Sequence, residues 1–485
     1  MKSMVKSARM LIGGELVESE SGEFVSSIDP ATEEVIGKFP AGTARDVEKA
    51  VEAAEGSWEA WNGIGVAGRA EALRRFGELI MERADELLEV EVRDTGNTIT
   101  PMRGDVKTGV GGINYYAGLG YELKGETVPS TPNNLHLTLR EPYGTVGRII
   151  PFNHPILFAT GHTAGALMAG NSVVVKPPET ASLSALLLAE IAQQALPPGV
   201  FNIVTGLGPQ VGAALAVHPQ VKRIAFIGSA RTGMAIQRMA AEVAVKNITL
   251  ELGGKNPMIV FPDVNVSDIV TAAIQGMNFT WQGQSCGSTS RLLLHESIYN
   301  EVVSQLAERI DAMRVGNPMD EASEMGAINS QGQYEKVLRY IETAKAEGAK
   351  LLAGGERPKG PEFKRGFWLR PTLFGDVKPG MCIAQEEIFG PVLSVMKWSD
   401  FDEALRIAND VEYGLTASIW TNNIDDALAM ARRVRAGFVW VNSVGPHYRG
   451  LNYGGYKNSG VGRDEGIQEM LSYTEQKSIS IALRN

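Results

Sequence analysis

The sequence contains two cysteines, and one of them stands in a segment suited to nucleophilic chemistry. Cys286 lies in the run Gln-Gly-Gln-Ser-Cys-Gly-Ser, whose small residues would let a substrate approach the sulfur closely. A thiolate is a strong nucleophile, but an ordinary thiol needs help to lose its proton. A lone cysteine is usually an inert core residue, and Cys382, in the run Met-Cys-Ile-Ala, fits that description.

Two further residues have the chemistry to assist such a thiol. Glu251 is flanked by leucines at the end of an apolar run, where partial burial raises a carboxyl pKa toward that of a useful base. Asn153 lies between two prolines, which restrict the backbone around it, and a rigid amide can donate to an oxyanion. Taken singly, an acid pointing to water and an asparagine in a turn explain both residues as well.

Alternating strand-like and helix-like stretches must position these residues. Short β-branched runs alternate with helical stretches between residues 145 and 243, and a second such region lies between residues 257 and 441. This alternation predicts an α/β fold with parallel sheets covered by helices on both faces. The last apolar stretch, Ser478 to Leu483, predicts an edge strand that needs a pairing partner. Other predicted elements are strands at Thr145 to Ile150, Ser172 to Lys176 and Arg223 to Ile227, and one helix over Leu157 to Ala169.

Composition narrows the class of protein. A chain of 485 residues exceeds one ordinary core, so two or three domains are expected. The net charge is −10, without an extended basic block, which argues against a nucleic-acid partner. Two cysteines exclude a disulfide scaffold and favour a reducing, cytoplasmic location, and no signal peptide is expected. Prolines, asparagines and histidines interrupt the uncharged stretch between residues 148 and 176, which argues against a membrane span.

Together these motifs resemble the aldehyde dehydrogenase superfamily, and the resemblance runs essentially from end to end. Each motif is short, but their joint occurrence in the family's order is very specific. The shared motifs are IGGE (12–15), DPAT (29–32), PFNHP (151–155), KPPE (176–179), FIGS (226–229), ELGGKNP (251–257), GQSC (283–286), EEIFGP (386–391) and GGYKNSG (454–460).

The resemblance implies a mechanism for an NAD(P)-dependent, hydrolytic enzyme. It implies that Cys286 attacks the aldehyde carbon while the Asn153 amide and the Cys286 backbone N–H hold the oxyanion. Hydride then leaves to the nicotinamide, and a thioester remains on the sulfur. Glu251 resembles the general base that activates the thiol, the hydrolytic water or both, so the expected product is a carboxylic acid.

The same resemblance implies a Rossmann-like cofactor site. Lys176 and Glu179 would bind the adenosine ribose, and an acid there repels a 2′-phosphate, so NAD is favoured although NADP is possible. Glu387 would hold the nicotinamide ribose with Phe389 beside the ring. Ser229 would receive the pyrophosphate at a helix N-terminus, although the usual Gly-x-Gly-x-x-Gly turn is missing. The other expected cofactor contacts are Ile150, Pro151, Phe152, Gly208, Gly212, Phe226, Gly228 and Leu252, and no metal is expected.

Several positions depart from the family pattern. Phe152 stands where tryptophan is commonest, His154 where an aromatic residue is usual, and Trp281 where asparagine is common. Asp464 stands where many members have a glutamate proposed to relay protons, and its shorter side chain puts that relay in doubt. The neighbouring Glu465 is expected to point elsewhere.

An aromatic tunnel to the thiol is expected to select the aldehyde. An aromatic aldehyde would stack there, and betaine aldehyde could bind by cation–π attraction. Two histidines and Arg449 do not welcome a cation, so the aromatic aldehyde is favoured. The expected tunnel residues are His154, Phe158, Trp281, Ser285, His447 and Tyr453, with Gly287 and Tyr448 nearby. The remaining alternatives are an acylating dehydrogenase that uses coenzyme A and a catalytically silent structural member; the presence of Glu251 and Cys286 argues against them.

The resemblance also implies three parts. A cofactor-binding domain is expected over residues 1–122 and 143–252, a catalytic domain over 253–465, and a β-structured oligomerisation element over 123–142 and 466–485. That element would pair with another copy of the chain to give a homodimer or homotetramer. The expected partner is otherwise a small-molecule aldehyde.

Overall fold

A computed structural model describes residues 9–483, so the outermost residues of the predicted cofactor domain and oligomerisation element lie outside it. Its helices are α1 (Ala44–Gly63), α2 (Gly65–Glu82), α3 (Ala84–Thr95), α4 (Ile99–Leu119), α5 (Pro155–Thr160), α6 (Ala164–Met168), α7 (Leu183–Ala195), α8 (Ala213–Val217), α9 (Ala230–Ala241), α10 (Val266–Gly276), α11 (Glu296–Asp311), α12 (Gln331–Ala346), α13 (Cys382–Gln385), α14 (Phe401–Asn409), α15 (Ile424–Arg433) and α16 (Ile467–Leu471). Single 3-10 turns lie at Gly120–Glu122, Phe279–Trp281 and Pro361–Phe363, and a π-helical turn lies at Gly208–Gly212.

The strands of the same residues form two large sheets, one three-stranded sheet and two two-stranded pairs. They are β1 (Met10–Ile12), β2 (Glu15–Val17), β3 (Phe24–Ile28), β4 (Val35–Pro40), β5 (Thr127–Val128), β6 (Asn134–Pro142), β7 (Thr145–Ile149), β8 (Ser172–Lys176), β9 (Phe201–Ile203), β10 (Val221–Ile227), β11 (Asn247–Glu251), β12 (Pro257–Val260), β13 (Arg291–His295), β14 (Lys350–Ala353), β15 (Thr372–Gly375), β16 (Val392–Trp398), β17 (Tyr413–Gly414), β18 (Thr416–Trp420), β19 (Phe438–Val441), β20 (Tyr456–Lys457), β21 (Gly460–Val461) and β22 (Thr474–Ala482).

The first large sheet has the strand order β2-β1-β9-β8-β7-β10-β11-β21, with β7 to β11 parallel. Every residue of β8 is buried, as expected for a strand covered on both faces. Val173 and Val175 join one apolar cluster and Val174 joins the other, because alternate residues of a strand point to opposite faces. The parallel strands therefore end along one edge of this sheet.

The second large sheet has the order β14-β15-β16-β13-β12-β18-β19 and is parallel except for β14. Ile259 and Leu293 pack into one apolar cluster, whereas Met258 and Leu292 pack into the cluster on the opposite face. The chain passes from the first sheet to the second between β11 and β12, and β21 returns to pair with β11. This crossing places the end of β11 beside the second sheet.

The small sheet pairs β22 with β6 over the whole length of both strands, from Thr474 opposite Pro142 to Ala482 opposite Asn134. The predicted strand at the C-terminal end is therefore present, but it begins at Thr474. In residues 9–483 only one edge of β22 is paired, because the sheet order is β22-β6-β5. Leu135, Leu139 and Ile481 of this sheet are exposed.

One element prediction is wrong. The segment predicted as a single helix from Leu157 to Ala169 forms α5 and α6, separated by a turn at residues 161–163. The hydroxyls of Thr160 and Thr163 donate to carbonyls one turn earlier, at 2.6 Å to Ile156 and 3.0 Å to Ala159. Such bonds compete with the helical ladder. The turn lets Gly161 pack against α4, where a side chain on Gly112 would lie 2.8 Å from the Gly161 Cα.

The N-terminal helices α1 to α4 were not assigned from the sequence pattern. α1 begins at a capping box in which Thr43 accepts from the Asp46 N–H and the Asp46 carboxylate accepts from the Thr43 N–H. α2, α4 and α7 pack together, and α4 crosses α5. No helix among residues 9–483 is both long enough and apolar enough to cross a bilayer.

Candidate active site

Cys286 lies in the turn between the 3-10 turn Phe279–Trp281 and β13, and Asn256 holds that turn. The buried Asn256 amide donates to the carbonyl oxygens of Cys286 at 2.7 Å and Ser288 at 2.9 Å. Its oxygen accepts from the Thr416 N–H at 3.0 Å. These three bonds connect the cysteine turn to the starts of β12 and β18, so the orientation of the Cys286 peptide is fixed by the second sheet.

The backbone leading to Cys286 is unusual. Asn278 and Gln282 both adopt left-handed conformations, with φ of 55° and 54°. Each costs about 1–3 kcal/mol for a residue other than glycine and persists only where the surroundings impose it. The buried Gln282 amide donates to the Gly96 carbonyl at 3.0 Å, and a side chain on Gly283 would lie 2.3 Å from the Gly390 carbonyl. Neighbouring segments therefore determine the path of this turn.

The Cys286 thiol is half-buried in apolar surroundings. Burial, together with the charges of Glu387 and Glu251, raises its pKa to about 12, and the Tyr453 hydroxyl opposes that rise. The thiol is therefore neutral near pH 7 unless a base removes its proton. It packs against a cluster made of Leu415, Phe438, Trp440 and Tyr453.

Glu251 is the last residue of β11 and is buried. Within residues 9–483 neither of its carboxylate oxygens has a hydrogen-bond partner. Burial raises its pKa well above the ordinary value, and the charge of Asp464 adds to this effect. Glycine at position 454 leaves room for the carboxylate, because a side chain there would lie 2.8 Å from Glu251 Oε1. A buried carboxyl without a partner can exchange a proton at a higher pH than an exposed one.

Asn153 follows β7 and is also buried. Its backbone carbonyl accepts from Asn97 Nδ2 at 2.9 Å, and the next helix, α5, begins two residues later. Glu91 accepts from the Ile156 N–H at 2.9 Å and so satisfies the first turn of α5. The side-chain amide of Asn153 makes no hydrogen bond to any residue between 9 and 483. The segment is thus fixed while its amide stays available to a bound group.

The carboxyl ends of the first sheet carry groups that could hold the two halves of a dinucleotide. After β8, the buried Lys176 ammonium donates to Glu179 at 3.0 Å, and it lowers the pKa of that carboxyl against the opposing effect of burial. After β10, Ser229 caps α9 by accepting from the Thr232 N–H at 3.3 Å. α9 thus offers the positive end of its dipole and its first N–H groups at this edge, as a phosphate requires.

A second carboxylate faces the cysteine turn. Glu387 accepts from the Gly254 N–H at 3.0 Å, and a side chain on Gly253 would lie only 2.1 Å from it. Burial raises the pKa of Glu387, and the Gly254 N–H opposes that rise. The rings of Phe389 and Phe152 meet edge to face at 5.6 Å. A hydroxyl-binding carboxylate beside aromatic rings and a glycine cradle fits the nicotinamide half of a dinucleotide.

The other predicted cofactor residues lie at the same strand ends. The Ile150 N–H donates to the Lys176 carbonyl at 3.1 Å, and the Leu252 N–H donates to the Ser459 carbonyl at 2.9 Å. The ring of Phe226 packs on Gly228, where a side chain would lie 2.4 Å from the ring. Pro151 continues the segment between β7 and α5. Gly208, at the start of the π-helical turn, lies beside Glu179, whereas Gly212 ends that turn.

Comparison with known proteins decides the family. The family model described as the aldehyde dehydrogenase family matches residues 16–479. The chain is 45% identical over 464 residues to aldehyde dehydrogenase tropH of Talaromyces stipitatus, and the match covers 94% of this chain and 90% of that one. The chain belongs to the aldehyde dehydrogenase family.

Solved structures of aldehyde dehydrogenases have the same fold. An NAD+ complex of the enzyme from Bacillus cereus matches with a TM-score of 0.96 and 37% identity, covering 99% of this chain and 97% of that one. Betaine aldehyde dehydrogenase from Staphylococcus aureus, also with NAD+, matches with a TM-score of 0.96 and 34% identity, covering 99% and 95%. The predicted α/β fold with a Rossmann-like domain, the enzyme class and the nicotinamide cofactor are therefore confirmed.

The aldehyde dehydrogenase has two histidine–carboxylate pairs among its predicted tunnel residues. His154 Nδ1 lies 2.6 Å from Asp105 on α4, and its ring lies 5.2 Å from Trp281 and 5.8 Å from Phe158. Asp105 therefore fixes the imidazole against two aromatic walls.

The second pair lies beside the cysteine. His447 Nδ1 lies 2.8 Å from Glu465, and its ring stacks on Tyr453 at 4.6 Å. Tyr453 in turn packs against Cys286 and lowers the pKa of its thiol, so it links this histidine to the thiol. Ser285 and Gly287 flank the thiol and are half-buried, whereas the Tyr448 side chain is exposed at the surface.

Asp464 lies in a buried ionic network. Its carboxylate lies 3.2 Å from His162 Nδ1 and 3.8 Å from Arg148, and these two partners lower its pKa against the effect of burial. Its backbone pairs with Tyr453 through bonds of 2.7 and 2.9 Å. Asp464 therefore supplies the fixed negative charge that raises the pKa of Glu251. Glu465 points away from this network, toward His447.

Sequence reasoning missed the residues that support the predicted ones. Asn256 belongs to the ELGGKNP motif, so the motif contained it, but only the structure shows its bonds to Cys286. Asp105 and Asn97 carry no local signal, because they act on residues 49 and 56 positions later. Glu465 lies 18 residues from its partner His447.

The reactivity of Cys286 gives a first prediction. In the Cys382→Ser variant without cofactor, alkylation of Cys286 by iodoacetamide should accelerate by roughly tenfold per pH unit up to about pH 10, because only the thiolate reacts. The rate is measured from the mass of the modified chain. Tyr453→Phe should slow alkylation at each pH, since it removes the hydroxyl that lowers the Cys286 pKa. A plateau near neutral pH would reveal a preformed thiolate and contradict this interpretation.

Proposed function

We propose that this aldehyde dehydrogenase oxidises its aldehyde to a carboxylic acid with NAD+ through a thioester on Cys286. The observation that carries the proposal is the joint presence of a half-buried neutral thiol and a buried carboxyl without a hydrogen-bond partner in the described residues. A neutral thiol needs a base, and Glu251 is a carboxyl whose environment makes it more basic. The unengaged amide of Asn153 supplies the third group.

The residues act in a balanced sequence of steps. Glu251 accepts the Cys286 proton as the sulfur forms a bond to the aldehyde carbon, and the carbonyl oxygen becomes an oxyanion. The Asn153 amide and the Cys286 N–H donate to that oxyanion, with each such donor worth about 3–4 kcal/mol. Bound NAD+ supplies the acceptor for the hydride that leaves this carbon. The oxyanion re-forms its carbonyl as the hydride leaves, so a thioester remains on Cys286. Glu251 releases its first proton to solvent and then accepts one from the water that attacks the thioester carbon. The Cys286 sulfur leaves that carbon and takes up a proton.

The perturbed pKa values make the proton transfers less uphill. Burial raises the pKa of the Cys286 thiol, which by itself would leave too little thiolate for attack. Burial also raises the pKa of Glu251, so the pKa of the proton acceptor Glu251 lies closer to that of the proton donor Cys286. Each unit of difference between the two pKa values is worth about 1.36 kcal/mol. The negative charge of Asp464 contributes because it raises the pKa of Glu251.

The cofactor roles are proposed from the groups at the strand ends. Lys176 and Glu179 hold the adenosine ribose, and Ser229 with the first N–H groups of α9 holds the pyrophosphate. Glu387 holds the nicotinamide ribose, and Phe389 limits the position of the ring. Glu179 carries a negative charge where a 2′-phosphate would lie, so NAD+ is preferred over NADP+.

Aromatic aldehydes are the proposed substrates. The aromatic rings of Phe158, Trp281 and Tyr453 surround the histidines near the thiol and suit a flat substrate. Betaine aldehyde is the second candidate, since the Staphylococcus aureus relative is a betaine aldehyde dehydrogenase. Water rather than coenzyme A is the proposed acceptor of the acyl group, because Glu251 provides a base for it.

We also propose the division of the chain into three parts and its assembly into a homo-oligomer. The large sheets correspond to the cofactor and catalytic parts, with β21 returning to the first sheet. The free edge of β22 in the described residues and the exposed Leu139 and Ile481 support pairing with another copy of the chain. A homodimer or homotetramer is proposed. A cytoplasmic location is proposed from the two free cysteines.

Substitution of the thiol gives the direct test of this function. Cys286→Ala should abolish NADH formation from benzaldehyde and NAD+, whereas Cys382→Ala, which removes the other thiol, should leave the rate unchanged. Asn153→Ala should lower kcat by about 10²–10³-fold, because one oxyanion donor is lost. Absorbance of NADH follows the reaction. NADH formation by Cys286→Ala at the rate of the unmodified protein would overturn the proposed mechanism.

Cofactor selectivity gives a separate prediction. Glu179→Gln removes the charge that repels a 2′-phosphate, so the ratio of kcat/KM for NADP+ to that for NAD+ should rise by roughly tenfold or more. Glu242→Gln, at an exposed acid that ends α9, is the matched control and should leave the ratio as it was. An unchanged ratio in Glu179→Gln would show that this carboxylate does not select the cofactor.

A further inference from the structure

Arg449 lies over the place where α4 crosses the end of α5. Its Nη2 donates to the Thr108 carbonyl on α4 at 3.0 Å. A side chain on Gly112 would lie 3.1 Å from the same nitrogen and 2.8 Å from Gly161, which follows α5. The close approach of the two helices therefore forms the surface on which the guanidinium rests.

This position borders the predicted aldehyde tunnel on two sides. Thr108 follows Asp105 by three residues, so the two lie on one face of α4. Asp105 holds His154 against Trp281 on that side. On the other side, His447 precedes Arg449 by two residues and stacks on Tyr453. The guanidinium thus lies near both histidine–carboxylate pairs.

Arg449 lies close enough to Glu465 to lower the pKa of that carboxyl, but it does not contact it. Asp105 and Glu465 are each engaged by a histidine, at 2.6 and 2.8 Å. Arg449 has no carboxylate within 4.0 Å among residues 9–483, and the only hydrogen bond it makes with them goes to a neutral carbonyl. The Nε2 atoms of His154 and His447 have no partner in that range either. The Arg449 guanidinium therefore keeps N–H donors that a ligand could use.

A carboxylate satisfies this arrangement best. A guanidinium binds a carboxylate through two parallel N–H donors. A neutral aromatic aldehyde would leave Arg449 unused, and a trimethylammonium aldehyde would meet a like charge. Tyr453, which contacts Cys286 and stacks on His447, would contact the middle of the substrate.

We propose that the substrate is an aldehyde with a carboxylate at its far end, and that Arg449 binds this carboxylate. The inference rests on the proposed oxidation of an aldehyde at Cys286 and specifies its substrate class. Arg449 acts only on the remote group. Its loss should therefore appear mainly in KM for carboxylated aldehydes.

The test compares aldehydes that differ only in their remote group. We would measure kcat/KM with NAD+ for benzaldehyde, 4-formylbenzoate, the one-carbon longer 4-formylphenylacetate and 4-(trimethylammonio)benzaldehyde. The better carboxylated aldehyde should exceed benzaldehyde by roughly tenfold or more, and the cationic one should fall below it. Arg449→Ala should reduce the ratio of carboxylated aldehyde to benzaldehyde by roughly tenfold, and Arg449→Lys by less. Arg406→Ala, at an exposed arginine of α14, is the matched control and should keep the ratio.

The ratio of kcat/KM for the carboxylated aldehyde to that for benzaldehyde tests the substrate class separately from the proposed oxidation at Cys286. It is taken on one enzyme preparation, so partial misfolding of a variant lowers both rates and leaves the ratio intact. NADH formation from benzaldehyde without a preference for either carboxylated aldehyde would overturn the carboxylate inference alone. Retention of the preference in Arg449→Ala would overturn the role of Arg449. Absence of NADH with every aldehyde would instead overturn the proposed function.

Discussion

The site depends on the burial of Cys286 and Glu251, neither of which contacts a charged partner of opposite sign among residues 9–483. Burial raises the pKa of both groups, so each is more easily neutral than it would be in water. A neutral thiol beside a basic carboxyl can exchange one proton without creating a lasting buried charge. The neighbouring acids Asp464 and Glu387 strengthen this tendency, and the Tyr453 hydroxyl limits it for the sulfur.

The two large sheets make this desolvation possible. Glu251 ends a strand of the first sheet, whereas Cys286 precedes a strand of the second, so their meeting point lies between two covered sheets. Asn256 fixes the cysteine turn from the side of the second sheet, and Asn97 fixes the Asn153 segment from the helical layer. Asn256 and Asn97 thus position the backbone and leave the Cys286 sulfur and the Asn153 side-chain amide without hydrogen bonds to them. Catalysis by preorganised donors requires such an arrangement.

Sequence patterns predicted the strands far better than the contacts between distant residues. The buried run of β8 was predicted with the bounds that the structure has, because a continuous β-branched segment has few alternatives. The helix across residues 161–163 was predicted wrongly, since its break depends on packing against α4, which comes earlier in the chain. Cys286, Glu251 and Asn153 lie in short motifs and could be named from them. Their roles remain predictions, and the partners of the two tunnel histidines needed the fold.

The acyl group on Cys286 is the most direct test of the central claim. An aldehyde deuterated at its carbonyl carbon is mixed with NAD+ and enzyme, quenched with acid during turnover, and the Cys286 peptide is weighed. The account predicts an increase equal to the aldehyde less its aldehydic deuterium and one hydrogen, because the hydride has left and the thiol proton has been lost. NADH formation with an unmodified Cys286 peptide, or with an adduct that retains all of the deuterium, would contradict it.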